Sequence, residues 1–187
     1  MKSFEYSGIV LEQIFSSECA KAFDCGDDDL NEYFQIDSAN YRKELLTSSY
    51  RIDRRNAKGD FPVAFVDFCN DAIRREELGS TKRKIHYRKR GFKSYPAVKI
   101  TRIGVMKALQ GCGIGSLVLD AVKHFFIEDM KSGCRFLTLD AYPERVGFYK
   151  KNRFREMQLK EDADERETIP MFFDLKELFP MLNSDCF

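Results

Sequence analysis

No stretch of this 187-residue chain approaches the roughly 20 consecutive apolar residues that a bilayer-spanning helix needs. Met1-Lys2-Ser3-Phe4-Glu5 also lacks the basic-then-apolar plan of a secretory leader. A cytoplasmic protein with no membrane partner is expected. Charge of one sign is missing as well: 31 Lys and Arg nearly cancel 30 Asp and Glu, leaving a formal net charge of +1. Bulk electrostatics therefore point to neither a nucleic-acid coat nor a membrane binder, and any charge signal has to be local. Cys19, Cys25, Cys69, Cys112, Cys134 and Cys186 include no C-x-x-C pair, so neither a disulfide framework nor a zinc site is expected. The two histidines, His86 and His124, lie too far apart in sequence to suggest a metal centre. No metal is expected. His124, beside Phe125 on a helix, reads as a packing or surface residue.

What is present is enough apolar content, 43% of residues, for the core of one compact domain over residues 1–187. Gly8 to Ile14 reads as a first strand. The turn at Phe23-Asp24-Cys25-Gly26 leads into a helix that Asp27 or Asp28 can cap. Leu30, Tyr33, Phe34, Asp37 and Tyr41 then fall at steps of three or four along one face, Asp37 being the polar exception. Thr47 to Asp53 and Phe61 to Phe68 are rich in β-branched and aromatic residues and are joined by a turn-like segment, the pattern of a hairpin. Asp71 to Leu78 reads as a short helix, and Gly79 to Ser94 as a polar loop dense in Lys and Arg. Ala97 to Val105 alternates as a strand until Gly104, where a bulge or a close backbone approach is expected. Ser116 to Met130 is a helix with a broad apolar face, stopped by Ser132-Gly133. Arg135 to Ala141, Phe154 to Gln158 and Ile169 to Leu175 are strands, and Glu144 to Asn152 is a short helix. This order describes an α/β protein with a mixed sheet and helices on its faces.

The junction between the strand ending at Val105 and the helix near Ser116 carries the chemistry. Gly111, Gly113 and Gly115 allow a tight turn whose N–H groups converge on an anion at a helix N-terminus. Gly115 is followed by Ser116 and Leu117 with no lysine, which excludes a Walker-type phosphate loop. The dinucleotide fingerprint G-x-G-x-x-G fares poorly too, since it needs glycine or alanine where Ser116 or Val118 stands, and a first βαβ unit. The pattern Q-x-x-G-x-G is met letter for letter by Gln110-Gly111-Cys112-Gly113-Ile114-Gly115. Here the chain resembles the GNAT superfamily of acyl-CoA N-acyltransferases. Thr101-Arg102-Ile103-Gly104-Val105 is similar to that family's fourth strand, and Phe148-Tyr149-Lys150-Lys151-Asn152-Arg153-Phe154 to its F-Y-x-K-x-G-F segment, so the resemblance spans roughly residues 8–175.

The resemblance implies a mostly antiparallel central sheet whose fourth and fifth strands splay apart, with acetyl-CoA as acyl donor. It implies that Ile103, Gly104 and Val105 pair with the pantetheine arm and that the thioester sits near Ala141 and Tyr149. Backbone N–H groups from Gln110 to Ser116 take the pyrophosphate, including those of Cys112 and Ile114. Tyr149 matches the general acid, and a phenol with an ordinary pKa of about 10 is protonated at neutral pH. Asp67 and Asp140 are the acidic side chains nearest by strand position, and neither is assigned as a base. The sequence departs from the pattern at Pro143, where the family has asparagine or serine, and at Arg153, where it has glycine. The acceptor is an amine. Lys82-Arg83-Lys84, His86, Arg88-Lys89-Arg90 and Lys93, with Tyr87, Phe92 and Tyr95 interleaved, could hold a phosphate backbone and stack bases. With the helix at 29–44 and Tyr149, they resemble a GNAT branch of toxins that acetylate aminoacyl-tRNA. A small-molecule or peptide amine is the leading expectation for the acceptor, whose identity stays open, and aminoacyl-tRNA and a non-catalytic acyl-CoA-binding module are the alternatives. The exposed edge of a mixed sheet could also pair two copies as a homodimer.

Overall fold

The computed structural model describes residues 3–57, 59–85, 92–128, 133–159 and 167–179. Two compact units divide the chain, residues 1–69 with 100–129 and residues 70–99 with 130–187.

The first unit opens with a hairpin of Phe4–Tyr6 (β1) and Ile9–Gln13 (β2). Ser7 and Gly8 both take positive φ, 50° and 75°, the backbone of a tight two-residue hairpin turn. β2 pairs antiparallel with Ser48–Asn56 (β3), and β3 with Gly59–Arg74 (β4), so the expected hairpin forms with a tighter turn. Alternation along β4 sends Phe65 and Asp67 to one face and Val66 and Phe68 to the other. Phe68 meets Phe125 and Phe126 of the helix Ile114–Glu128, whereas Phe65 meets Phe23 and Phe34. Helices therefore cover both faces of this part of the sheet. His124 packs as expected, its ring stacked on Tyr6 at 3.9 Å between centroids.

The helical run at 28–43 has three parts: Asp28–Glu32 (α1), a π-helical turn Tyr33–Asp37, and Ser38–Lys43 (α2). Asp27 caps it, its Oδ1 accepting from the Leu30 N–H at 3.0 Å. The wide turn shifts the helical phase by about one residue. Asp37, expected on the apolar stripe, is exposed, and Ser38 is buried in its place, its hydroxyl donating to the Phe34 carbonyl at 3.1 Å.

In the second unit the first half of Ser94–Val105 (β5) pairs parallel with Phe136–Ala141 (β6), β6 antiparallel with Ile169–Asp174 (β8), and β8 with the two-residue Arg155–Glu156 (β7). This is the mixed sheet that the element order implies. The β5–β6 register runs from Ala97↔Phe136 to Lys99↔Thr138 and then ends, although both strands continue. The helix expected at 71–78 is corrected: β4 remains extended to Arg74, with the Arg75 N–H donating to Lys93 O at 2.9 Å, and a 3-10 segment Arg75–Lys84 follows. Pairing with a neighbouring strand overrides the weak β propensity of Asn70-Asp71-Ala72. Tyr95, read as a base-stacking ring, is corrected too. It is buried in the cluster of Ile73, Leu78, Ala97, Phe136 and Phe172. Residues 86–91 of the basic stretch lie outside the described residues, and Phe92 is exposed.

Among the described residues no helix is long and apolar enough to cross a membrane, and no cluster of His, Cys, Asp or Glu could hold a metal.

Candidate active site

In the first unit, β5 ends at Val105, a 3-10 turn covers Lys107–Leu109, and the glycine loop runs into the helix Ile114–Glu128 (α3). Gly111 and Gly113 have φ of 76° and 83°, and a Cβ built on either meets no atom within 4 Å. These glycines are needed for backbone conformation and leave open space before the loop. The Gln110 N–H donates to Lys107 O at 3.3 Å, and those of Ser116 and Leu117 to Gly113 O at 3.1 and 3.2 Å. The loop amides outside these bonds are those of Gly111 to Gly115. Their convergence at a helix N-terminus suits a diphosphate.

Gln110 has a structural role that the motif did not reveal. Its Nε2 donates to Cys25 O at 2.7 Å and to Val105 O at 3.0 Å, tying the loop to the turn before α1 and to the end of β5. Gly104 is a case of close approach: a Cβ there would stand 2.8 Å from Phe23 Cζ and 3.2 Å from Leu30 Cδ2. Phe23 is held edge-on by Phe34 and Phe65 and has little room to yield. Gly104→Ala is expected to destabilise the protein by about 1–3 kcal/mol, which thermal unfolding would register as a fall of several degrees.

In the second unit, Tyr149 lies on Val146–Lys151 (α4), preceded by a 3-10 turn Pro143–Arg145. Pro143 occupies the first position of that turn, where its fixed φ and missing N–H suit a helical start. At the other end Phe154 N–H donates to Tyr149 O at 3.0 Å and Arg153 N–H to Lys150 O at 2.9 Å. This pair of bonds is a Schellman cap, completed by the Phe154 ring against Tyr149 at 5.8 Å. The left-handed residue of the cap is Arg153, φ 69°, where glycine would be unstrained. Its side chain offsets part of the strain through a 2.9 Å ion pair to Glu177 and a position over the Phe173 ring. The departure from the family glycine therefore leaves the cap intact. Burial pushes the Tyr149 phenol above its ordinary pKa, with Arg145 opposing weakly.

The remaining candidates are placed less suggestively. Ala141 is buried at the end of β6. Asp140 is paired with Lys99. Asp67 is fully buried and accepts from the Tyr33 and Thr47 hydroxyls at 2.7 and 3.0 Å.

A family model described as an acetyltransferase (GNAT) domain matches residues 85–175. Residues 85–175 thus match a GNAT acetyltransferase domain. The chain is accordingly an acyl-CoA-dependent N-acyltransferase, with acetyl-CoA as donor. Solved structures agree on the fold. AtaT complexed with acetyl-methionyl-tRNAfMet superposes at a TM-score of 0.69 with 22% identity, covering 93% of this chain and 99% of AtaT. A tyrosine-to-phenylalanine variant of KacT gives 0.70 at 17% identity, covering 94% and 99%. AtaTR bound with AcCoA gives 0.65 at 18% identity, covering 95% and 99%. Comparison with curated proteins finds no match.

Proposed function

We propose that this GNAT acetyltransferase acts in the cytoplasm on the α-amino group of an aminoacyl-tRNA, with residues 1–187 working as one domain. The observation that carries the reading is the end-to-end likeness to AtaT, which was captured with acetyl-methionyl-tRNAfMet. In support, this chain has a partly buried phenol whose helix is capped immediately after it.

Acetyl-CoA supplies the thioester. The amides of Gly111 to Gly115 receive its diphosphate, and the backbone of Ile103, Gly104 and Val105 aligns its pantetheine arm. The side chain of Gln110 holds the loop in place, Ser116 lies in the first turn of the following helix, and Ala141 with Tyr149 borders the acyl group. The neutral acceptor amine attacks the carbonyl carbon, a C–N bond forms, and the C–S bond breaks as the tetrahedral oxyanion collapses. The Tyr149 hydroxyl gives its proton to the departing sulfur, and the nitrogen loses a proton to solvent.

The test supplies purified protein with acetyl-CoA and a panel of charged tRNAs, and reads N-acetylated amino acid after deacylation. Label in the aminoacyl fraction, together with growth arrest on expression that Tyr149→Phe relieves, is the expected result. Acetylation of small amines by a protein whose overproduction is harmless would move the acceptor to a small molecule. Binding of acetyl-CoA with no acceptor modified and no effect of Tyr149→Phe would reduce the chain to a binding module.

A further inference from the structure

We propose that Arg102 contacts a phosphate of the acceptor RNA, with Tyr33 and Asp67 as the residues that position it; this rests on the aminoacyl-tRNA reading above. Arg102 lacks the carboxylate partner that several other arginines of the chain have. Arg51 is paired with Glu12 and Asp53, Arg55 with Glu5 and Asp60, Arg135 with Asp174, and both Arg153 and Arg155 with Glu177. Arg102 is exposed and bonds through Nη1 to its neighbour's carbonyl, Thr101 O, at 2.8 Å. Among the described residues no carboxylate is within ion-pair distance of it. A guanidinium has five N–H donors in a planar fork suited to phosphate, and among the described residues only the bond to Thr101 O engages them.

The mounting of this cation is as distinctive as its freedom. Its Cζ stands 5.1 Å from the centroid of the Tyr33 ring. Tyr33 is itself buried, and its hydroxyl donates to Asp67 Oδ2 at 2.7 Å. Asp67 is 0% exposed, accepts a second bond from Thr47, and receives the Thr101 hydroxyl on its backbone carbonyl at 3.2 Å. Its other oxygen, Oδ1, is buried with no hydrogen-bond partner among the described residues. A core needing only packing would have an apolar side chain at this place, because a buried carboxylate with an unmatched oxygen is unfavourable. What the carboxylate provides is a fixed ring, and a fixed ring holds an arginine in a set direction with little loss of freedom on binding. The ring enters from the π turn that begins at Tyr33.

Position then selects the ligand. Alternation puts Arg102 on the same face of β5 as Gly104, two residues and roughly 7 Å along the strand. The cation is thus adjacent to the backbone that aligns the acyl donor, where the last nucleotides of an acceptor would lie.

A phosphate could also be the donor's own, and the experiment separates the two sources. Arg102→Met keeps a stem on the Tyr33 ring and removes the charge. Steady-state rates are measured with aminoacyl-tRNA over a range of salt, with a phosphate-free aminoacyl-adenosine, and with varied acetyl-CoA. KM for aminoacyl-tRNA should rise about tenfold with kcat little changed. The salt dependence of log kcat/KM should become shallower by about 0.7. Rates with aminoacyl-adenosine and the KM for acetyl-CoA should not move. A raised acetyl-CoA KM with equal slowing on the phosphate-free acceptor would assign the phosphate to the donor and overturn the proposal, as would no change with any substrate. Tyr33→Phe keeps the ring but frees it from Asp67, and should raise the aminoacyl-tRNA KM about threefold with kcat unaltered. An unchanged KM there would remove the positioning roles. A wild-type enzyme active on small amines but on no aminoacyl-tRNA defeats the function reading first and this inference with it, whereas an active wild type matched by Arg102→Met defeats this inference alone.

Discussion

Replacing Tyr149 by phenylalanine is expected to lower kcat by about 10² to 10³ while leaving acetyl-CoA affinity unchanged. The substitution removes one oxygen and keeps the ring that packs against Phe148 and Phe154 at 5.2 and 5.8 Å, so the helix and its cap should survive. On the proposed mechanism, what is lost is the proton for the leaving sulfur. Burial raises the pKa of this phenol, and a raised pKa extends the range in which the acid form exists to higher pH. In the wild type any loss of rate due to Tyr149 ionisation must therefore come above the ordinary phenol value of about 10. The phenylalanine variant should show no such limb. Initial rates across pH, with calorimetric titration of acetyl-CoA, would check both points. A variant within threefold of the wild type would take the acid role from Tyr149.

Gly113→Val should have the second large effect, on the donor rather than on the chemistry. At φ 83° a residue with a Cβ is strained by about 1–2 kcal/mol, and a branched one by more. The side chain would also occupy the open space in front of the amides of Gly111 to Gly115. With acetyl-CoA at about 100 times its Kd, mass action stabilises the wild type by about 2.7 kcal/mol, a rise in Tm of roughly 5–10 °C. The variant should show almost none of that rise. It should also differ in kind from Gly104→Ala, where the added methyl meets Phe23 inside the fold and the ligand-free protein already melts lower. A full thermal shift in Gly113→Val would mean that the donor binds elsewhere.

The parts of this protein that were legible in its sequence are those in which local chemistry and tertiary need agree. The loop glycines announced themselves because only such residues take φ near 80° without strain. Asp27 was legible as a cap because its side chain serves an N–H three residues away. Where the sequence misled, a distant partner had decided the outcome. β4 stays extended through Asp71 because a neighbouring strand accepts it, and Tyr95 is buried because Phe136 and Phe172 build a core around it. β1 escaped notice because three residues give too short a pattern, although Ser7-Gly8 marked the turn. Gln110 was recognised as a letter of a motif. That it braces the loop could not be read, since one of its partners is a carbonyl 85 residues earlier. Asp67 was a candidate by strand position, but that two hydroxyls donate to its buried carboxylate is a matter of packing alone.

The wide turn at Tyr33–Asp37 also bears on how this chain could change its length. A π turn accommodates one surplus residue without breaking the helix, so the run from Asp28 to Lys43 is, in effect, an α-helix carrying an insertion. Everything before the surplus keeps its angular setting, including Tyr33 on Asp67, while everything after it is rotated by about 100°. That rotation is what turns Ser38 inward, where its hydroxyl and that of Ser49 both accept from the Arg42 guanidinium, at 2.9 and 2.8 Å. The two ends of the helix are thus anchored to the sheet in different phases, and the surplus residue reconciles them. A shorter helix would have to give up one anchor or the other.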